Sequence, residues 1–86
     1  MSLPEQTTRD CIIFGRGLSV CMKKAKRSQG WVCRATGITE NSISNIINGR
    51  ANFRFDTAMR LSRAIEVSVD TIYATGELNY ATSEKN

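Results

Sequence analysis

Residues 28–50, SQGWVCRATGITENSISNIINGR, decide the fold of this 86-residue chain. The segment VCRAT shows helical spacing before Gly37, a residue that can adopt the left-handed conformation that ends a helix. Thr39 can then cap a second helix, in which isoleucines recur every three or four residues before an Asn-Gly turn. The pattern predicts helices over residues 29–36 and 40–47 joined by a tight turn, which is a helix-turn-helix.

The rest of the chain predicts three more helices. The first runs from a cap at Thr7 or Thr8 to about Arg27, with apolar residues along one face. A loop over residues 48–54 precedes a helix over residues 55–65, and Ser68 can cap a short fifth helix that ends at Thr75-Gly76. Five helices with short connections predict an all-α fold, a compact five-helix bundle containing the helix-turn-helix.

The chain has the length of one domain. We expect a flexible N-terminus over residues 1–8, the helix-turn-helix domain over residues 9–76 and a polar C-terminal tail over residues 77–86. Gly15 and Gly17 each cost the first helix about 1 kcal/mol relative to Ala, so we expect them to allow close packing against a neighbour.

Charge is unevenly distributed within the net +4. Residues 9–63 hold eleven Lys or Arg against three acidic residues, a balance of +8, and residues 64–86 hold four acidic residues against one Lys, a balance of −3. A basic body is typical of polyanion binders, although many small domains are basic without binding one. The basic cluster KKAKR over residues 23–27 has two interpretations, a solvated helix end or a set of phosphate contacts.

Several classes of protein lack support in this sequence. No window approaches the roughly 18 apolar residues of a membrane span and no signal-peptide pattern is present, so we expect a cytoplasmic protein without membrane contact. The cysteines at positions 11, 21 and 33 form no CxxC pair and the chain has no histidine, so we expect buried reduced thiols and no metal site. No catalytic constellation or phosphate loop argues for an enzyme, and nothing indicates a cofactor or small-molecule ligand.

Residues 14–77 resemble the helix-turn-helix domain of lambdoid phage Cro proteins and repressors. The resemblance rests on FGxxL from Phe14, Ser28-Gln29, Gly37-Ile38-Thr39, SISxIxNGR from Ser42, AIxVSVD from Ala64 and TGE from Thr75, all in one ungapped register. It implies a lambda repressor-like DNA-binding domain that binds a double-stranded DNA operator.

The sequence departs from the family pattern at several positions. The family commonly pairs an Arg on the first helix with a Glu before the Asn-Gly exit, and here Met22 and Ile47 stand at those positions. Two apolar residues avoid an unpaired buried charge, but the exchange removes a cation that in the family often reaches DNA phosphate. Trp31 stands where the family usually has a charged residue, and Thr36 where it usually has an apolar one.

The second helix of a helix-turn-helix enters the major groove of DNA. Asn can pair with adenine, Glu can accept from cytosine and Ser can serve in either role, so the outward side chains of this helix suit base edges. The predicted base-reading residues are Glu40, Asn41, Ser42 and Asn45. The resemblance implies DNA-backbone contacts by Ser28, Gln29, Asn48 and Arg50, and also by Ser42, to which the Thr39 hydroxyl and the Arg54 guanidinium can add.

One such domain makes few contacts, so we expect a homodimer or another cooperative assembly on DNA. Half-sites would lie about 34 Å apart on a near-palindrome, or copies would bind direct repeats if their contact is head-to-tail. Trp31 has two interpretations, a cover over a gap in the core or an anchor for a partner protomer. Tyr73, Leu78 and Tyr80 form the other candidate self-association surface.

Three functions are compatible with this sequence. The resemblance implies a transcriptional regulator, and since the chain has no room for the self-cleaving domain of larger phage repressors, a Cro-like repressor of a phage or prophage fits best. The alternatives are an architectural protein such as an excisionase, and a protein-interaction module that kept the fold without DNA contact.

Overall fold

The computed structural model describes residues 5–50 and 52–84. Within these ranges the chain forms five helices and no strand, which confirms the all-α bundle. No helix in this part of the chain is long and apolar enough to cross a membrane. The helices are α1 (Glu5–Ala25), α2 (Gln29–Thr36), α3 (Glu40–Ile47), α4 (Phe55–Ile65) and α5 (Val69–Glu84).

The helices of the helix-turn-helix have the predicted bounds because strong local signals stand at their ends. The Ser28 hydroxyl accepts the Trp31 amide at 3.1 Å at the start of α2, and the Thr39 hydroxyl accepts the Ser42 amide at 3.1 Å at the start of α3. Gly37 ends α2 in the left-handed conformation, with φ 78°. Each cap satisfies backbone groups that a helix end leaves without an internal partner.

Helix α1 differs from its prediction at both ends. It begins at Glu5, before either threonine proposed as its cap, so residues 5–8 are helical, and residues 1–4 lie outside the described residues. It ends at Ala25, before Arg27, because Lys26 adopts φ 59°. The Arg27 amide then donates to the Met22 carbonyl at 2.9 Å and closes the last turn.

The prediction that the last helix ends at Thr75-Gly76 was wrong. Helix α5 starts after the predicted Ser68 cap, whose hydroxyl accepts the Thr71 amide at 3.1 Å, but it continues through Gly76 to Glu84. A Cβ atom on Gly76 would lie 1.8 Å from the Ile13 carbonyl oxygen on α1. Gly76 therefore permits backbone contact between two helices rather than ending one of them.

Glycines on α1 allow the same close approach from the other side. A Cβ atom on Gly17 would lie 1.8 Å from the Ile72 carbonyl oxygen on α5, and one on Gly15 would lie 2.1 Å from the Ile46 carbonyl oxygen on α3. The close packing expected of Gly15 and Gly17 is confirmed. These two contacts fix α3 and α5 against α1.

One hydrophobic core joins all five helices. Met22 belongs to this core, and Ile47 packs against the core from the end of α3. Both apolar departures from the family pattern therefore contribute to the core. The buried cluster consists of Phe14, Leu18, Cys21, Met22, Val32, Ile43, Ile46, Ala58, Leu61, Ile65 and Ile72.

Candidate DNA-binding surface

The turn between α2 and α3 is closed by side-chain hydrogen bonds. The Thr36 hydroxyl donates to the Val32 carbonyl at 2.7 Å and accepts the Ile38 amide at 3.1 Å. The Gly37 amide donates to the Cys33 carbonyl at 2.8 Å. Thr36, which departs from the usual apolar residue of the family, thus helps to fix the angle between the two helices.

Helix α3 is divided into a buried face and an exposed face. Ile43 is fully buried and Ile46 is 3% exposed, as expected for residues that point into the core. The predicted base-reading residues lie on the other face, which we call the recognition face. Its members are Glu40, Asn41 and Ser42, which are exposed, and Asn45, which is half-buried.

The N-terminus of α3 holds two hydroxyl groups in a fixed relation. The Thr39 hydroxyl accepts the Ser42 amide and donates its hydrogen to the Ser42 Oγ at 2.9 Å. The Ser42 oxygen therefore receives a hydrogen bond from inside the protein, while its own hydrogen can be donated outwards. This arrangement makes Ser42 the hydroxyl donor that faces solvent and makes Thr39 its support.

A groove of about 500 Å³ runs between α3 and the start of α4. It brings Ser42 and Asn45 of the recognition face together with Arg54, a predicted backbone contact. Its remaining lining residues are Ile38, Ile46, Asn52, Phe53 and Thr57. Sequence reasoning missed Asn52 and Thr57, since residues of an irregular loop and the first turn of the next helix have no periodicity that would relate them to α3.

The loop that carries Arg54 is attached to the core by an aromatic pair. The rings of Phe53 and Phe14 lie 4.9 Å apart at an interplanar angle of 45°, a tilted arrangement of the favourable kind. Arg54 follows directly, is exposed, and occupies the N-cap position of α4 without a side-chain cap hydrogen bond. Its guanidinium is therefore available at the groove rather than committed to the helix end.

Glu40 lies at the side of α3 nearest α2. A Cβ atom on Gly30 would lie 3.7 Å from the Glu40 carboxylate and 3.5 Å from the Arg34 guanidinium, so both side chains pass close to this glycine. The positive charge of Arg34 in this region offsets part of the repulsion between the Glu40 carboxylate and a DNA backbone.

The exit from α3 presents Asn48 and Arg50. The Asn48 side-chain amide donates to the Ser44 carbonyl at 2.9 Å and to the Ser44 hydroxyl oxygen at 3.4 Å, and the Arg50 amide donates to the Asn45 carbonyl at 2.8 Å. Gly49 adopts φ 68° between them. Both side chains are exposed. The Arg50 guanidinium can contact a phosphate while its backbone is fixed, whereas the Asn48 amide would exchange a bond to Ser44 for such a contact.

Ser28 and Gln29 are exposed at the N-terminus of α2, between Arg27 and Trp31 in the sequence. Trp31 is half-buried and packs against the core, which supports the interpretation of this residue as a core cover. The Arg27 guanidinium lies 4.0 Å from the centre of the Trp31 ring. This contact was not predicted from the sequence, although the i, i+4 spacing of the two residues was visible.

Two of the three candidate self-association residues near the C-terminus, Tyr73 and Tyr80, contact α1. The Tyr73 hydroxyl donates a hydrogen bond to the Asp10 carboxylate, and this bond, together with burial, raises the pKa of Tyr73 to about 12. The Arg16 guanidinium lies 5.2 Å from the centre of the Tyr80 ring. Leu78 is 75% exposed.

The described part of the chain offers no group of three His, Cys, Asp or Glu side chains that could hold a metal ion. All three thiols are unbridged, and only Cys21 is buried, whereas Cys11 and Cys33 are half-exposed. Burial, with a smaller contribution from Glu40, raises the pKa of Cys33. A raised thiol pKa disfavours the reactive thiolate at neutral pH.

The fold and this surface define a helix-turn-helix DNA-binding module, because a second helix seated by its apolar face presents a polar face beside exposed cations. A sequence profile of the Cro/C1-type helix-turn-helix DNA-binding domain matches residues 17–75. Since the match spans more than half of the chain, the protein belongs to the Cro/C1-type helix-turn-helix DNA-binding family.

A solved structure shows the same fold. The restriction-modification controller protein C.AhdI from Aeromonas hydrophila superposes with a TM-score of 0.69 at 17% identity, over 74% of this chain and 97% of that chain. At this identity the match establishes the shared fold. A comparison with curated protein sequences found no match.

Proposed function

We propose that this protein is a sequence-specific transcriptional regulator, a Cro-like repressor of a phage or prophage that reads the major groove of an operator with α3. The observation that carries the proposal is the division of α3, with Ile43 and Ile46 locked in the core and the recognition face turned outwards. Membership of a DNA-binding family supports the choice of duplex DNA as the partner of that face.

Base reading is assigned to the recognition face according to the chemistry of each side chain. Asn41 and Asn45 can each form a bidentate pair with adenine, and Glu40 can accept from the cytosine amino group. Ser42 can donate outwards because Thr39 supplies the internal hydrogen bond that its oxygen accepts. A good bidentate pair supplies about 1–3 kcal/mol of discrimination against the wrong base.

Backbone contacts are assigned to the residues around α3. Ser28 and Gln29 stand at the positive end of α2, Asn48 and Arg50 at the exit from α3, and Arg54 on the far wall of the groove. Some of these residues precede the recognition face in the sequence and the others follow it. This arrangement suits contacts with phosphates on the two edges of a major groove.

Binding as a homodimer, or cooperatively, is part of the proposal. A single domain of this size buries little DNA surface, whereas tight regulators add the contacts of a second half-site. The candidate dimer contacts are the C-terminal surface of Tyr73, Leu78 and Tyr80, on which Leu78 is 75% exposed, and the half-buried Trp31. Analytical ultracentrifugation with and without a two-half-site duplex tests this assignment.

Selection from randomised duplexes, followed by gel-shift titration at two salt concentrations, tests the function. A regulator should yield a site bound at least about 10³-fold more tightly than bulk DNA, with a steep fall in affinity as salt rises. A preference for attachment-site DNA, with bending of that DNA in circular-permutation gels, would favour the architectural alternative. Absence of binding to any duplex at low salt would favour the protein-interaction alternative.

The fold shared with C.AhdI raises control of a restriction-modification system as a second candidate, because nearly the whole of that chain superposes on this one. The selected site distinguishes the two candidates. A site that lies before restriction or modification genes favours the controller, and a site between divergent phage promoters favours the Cro-like repressor.

A further inference from the structure

We propose that Arg27, held against the face of Trp31, is a DNA-phosphate contact at the start of α2. The inference rests on the proposed function. Of the two interpretations of the basic cluster over residues 23–27, a solvated helix end or phosphate contacts, it assigns the second to Arg27. The observation that carries it is the cation–π contact, in which the guanidinium carbon lies 4.0 Å from the ring centre.

The backbone on both sides of Arg27 is fixed. Its amide donates to the Met22 carbonyl at 2.9 Å, after Lys26 has turned the chain with φ 59°. Ser28 follows as the N-cap of α2 and binds the amide of Trp31. The residue that carries the guanidinium and the residue that carries the ring are thus joined by one hydrogen-bonded turn, which keeps the stack in register.

The stack leaves the edge of the guanidinium available for an anion. The contact places the centre of the guanidinium over the ring, and the five N–H donors are spread around that centre in one plane, so those that do not face the ring can donate to an anion. The edge matches the geometry of a phosphate, which Arg can bind through two parallel hydrogen bonds. Holding the side chain in place also reduces the rotamer entropy lost on binding.

Within the part of the chain that the structure describes, the helix that follows Arg27 offers it no acidic partner in its first turn. In contrast, the first turns of α3, α4 and α5 contain Glu40, Asp56 and Asp70. Lys23, Lys24 and Lys26 add positive charge from the end of α1. The negative C-terminal end of α1, to which the Arg27 amide is hydrogen-bonded, offsets part of the repulsion among these cations, and an anion bound there would offset more of it.

The position of Arg27 relative to the recognition face makes DNA phosphate the anion. Arg27 immediately precedes Ser28 and Gln29, which are assigned to the DNA backbone. Met22, one turn earlier on α1, is buried and apolar and offers no such contact. The sole tryptophan of the chain therefore serves both as a core cover and as the platform for a phosphate-binding Arg.

The test is the salt dependence of binding to a random-sequence duplex, so it does not require a known operator. Arg27→Ala and Arg27→Gln should reduce the slope of log Kd against log salt by about 0.9, the value for one phosphate contact, and weaken binding roughly tenfold at fixed salt. Lys24→Ala is the matched control, since this Lys lines a hollow with residues of α5 and should leave the slope unchanged.

A double-mutant cycle distinguishes a role of Trp31 in holding the Arg27 guanidinium from a role in core packing alone. Trp31→Leu should weaken duplex binding about two- to fivefold in the wild-type background and should have no further effect once Arg27 is replaced. Circular dichroism confirms that each variant is folded. An equal effect of Trp31→Leu in both backgrounds would contradict a platform role.

Four other results would overturn the proposal. The first is an unchanged salt slope in both Arg27 variants while wild type binds duplex, which removes Arg27 alone and leaves the proposed function intact. The second is an equal fall in slope for Lys24→Ala, which indicates a general charge effect. The third is a change of oligomeric state in Trp31→Leu with unchanged duplex affinity per protomer, which assigns Trp31 to a protein partner. Wild type that binds no duplex overturns this inference together with the proposed function.

Discussion

Replacing Gly76 by Ala should destabilise the protein, although Ala favours helix more than Gly does. A Cβ atom at this position would lie 1.8 Å from the Ile13 carbonyl oxygen, where ordinary contact begins at 3.4 Å. The contact is thus too short by 3.4 Å minus 1.8 Å, so the backbones of α1 and α5 would have to move apart by about 1.6 Å. Because the obstacle is a backbone atom, no side-chain rotation can relieve the clash.

Two energies of opposite sign decide the size of this effect. Ala gains about 1 kcal/mol of helix propensity relative to Gly, whereas forced separation of packed elements costs about 3 kcal/mol or more. The net loss is therefore about 2 kcal/mol or more, out of the roughly 5–15 kcal/mol of a typical domain. Urea denaturation followed by circular dichroism should show a midpoint lowered by about 1 M or more.

Gly30→Ala is the matched control for the same exchange inside a helix. A Cβ atom there would first meet the flexible Arg34 guanidinium at 3.5 Å, an ordinary contact. The propensity term should then prevail and raise stability by about 0.5–1 kcal/mol. A Gly76→Ala protein at least as stable as wild type would refute the backbone contact between α1 and α5.

Three further predictions concern the recognition face, the Ser28 cap of α2 and the hydrogen bond between Tyr73 and Asp10. Asn45→Ala should relax the base preference of the selected site, whereas Arg50→Ala should weaken all duplexes alike; parallel losses in competition gel shifts would contradict the division into base and backbone contacts. Ser28→Ala removes the α2 cap and should cost about 1 kcal/mol in urea denaturation, and an unchanged midpoint would show that the cap contributes nothing. The Tyr73 pKa is raised to about 12 by its bond to Asp10, so the neutral hydroxyl contributes stability that is present below the unfolded pKa of about 10 and is lost as pH rises through about 12. Thermal unfolding of wild type should weaken across that window more than that of Tyr73→Phe, and identical pH profiles would argue against the bond.

The helices of the helix-turn-helix could be predicted because their ends are decided by nearby residues. Ser28, Thr39 and Gly37 each act on amides or carbonyls within a few positions along the chain. The end of α5 could not be predicted in this way. Gly76 provides the same local signal as a helix-ending Gly, and only the α1 backbone against it shows that it serves packing.

The recognition face was predictable from the sequence, and the groove beside it was not. Helical period alone places Ile43 inward and Asn45 outward. The groove depends on where the loop after α3 returns, which is set by the contact of Phe53 with Phe14, a pairing of distant residues. Arg27 and Trp31 are four residues apart, but Arg27 lies before the start of α2, so helical spacing does not predict their contact. The contact depends on the turn at Lys26, which the sequence did not predict.

The claim on which this account depends is that the recognition face of α3 meets DNA. An amide chemical-shift titration of labelled protein with the selected duplex tests it most directly. We expect the largest shifts at Glu40, Asn41, Ser42 and Asn45, with a second set at Ser28 and Gln29, and small shifts along the α1–α5 contact. Shifts confined to α5 and the outer side of α1, with α3 unaffected, would contradict the claim.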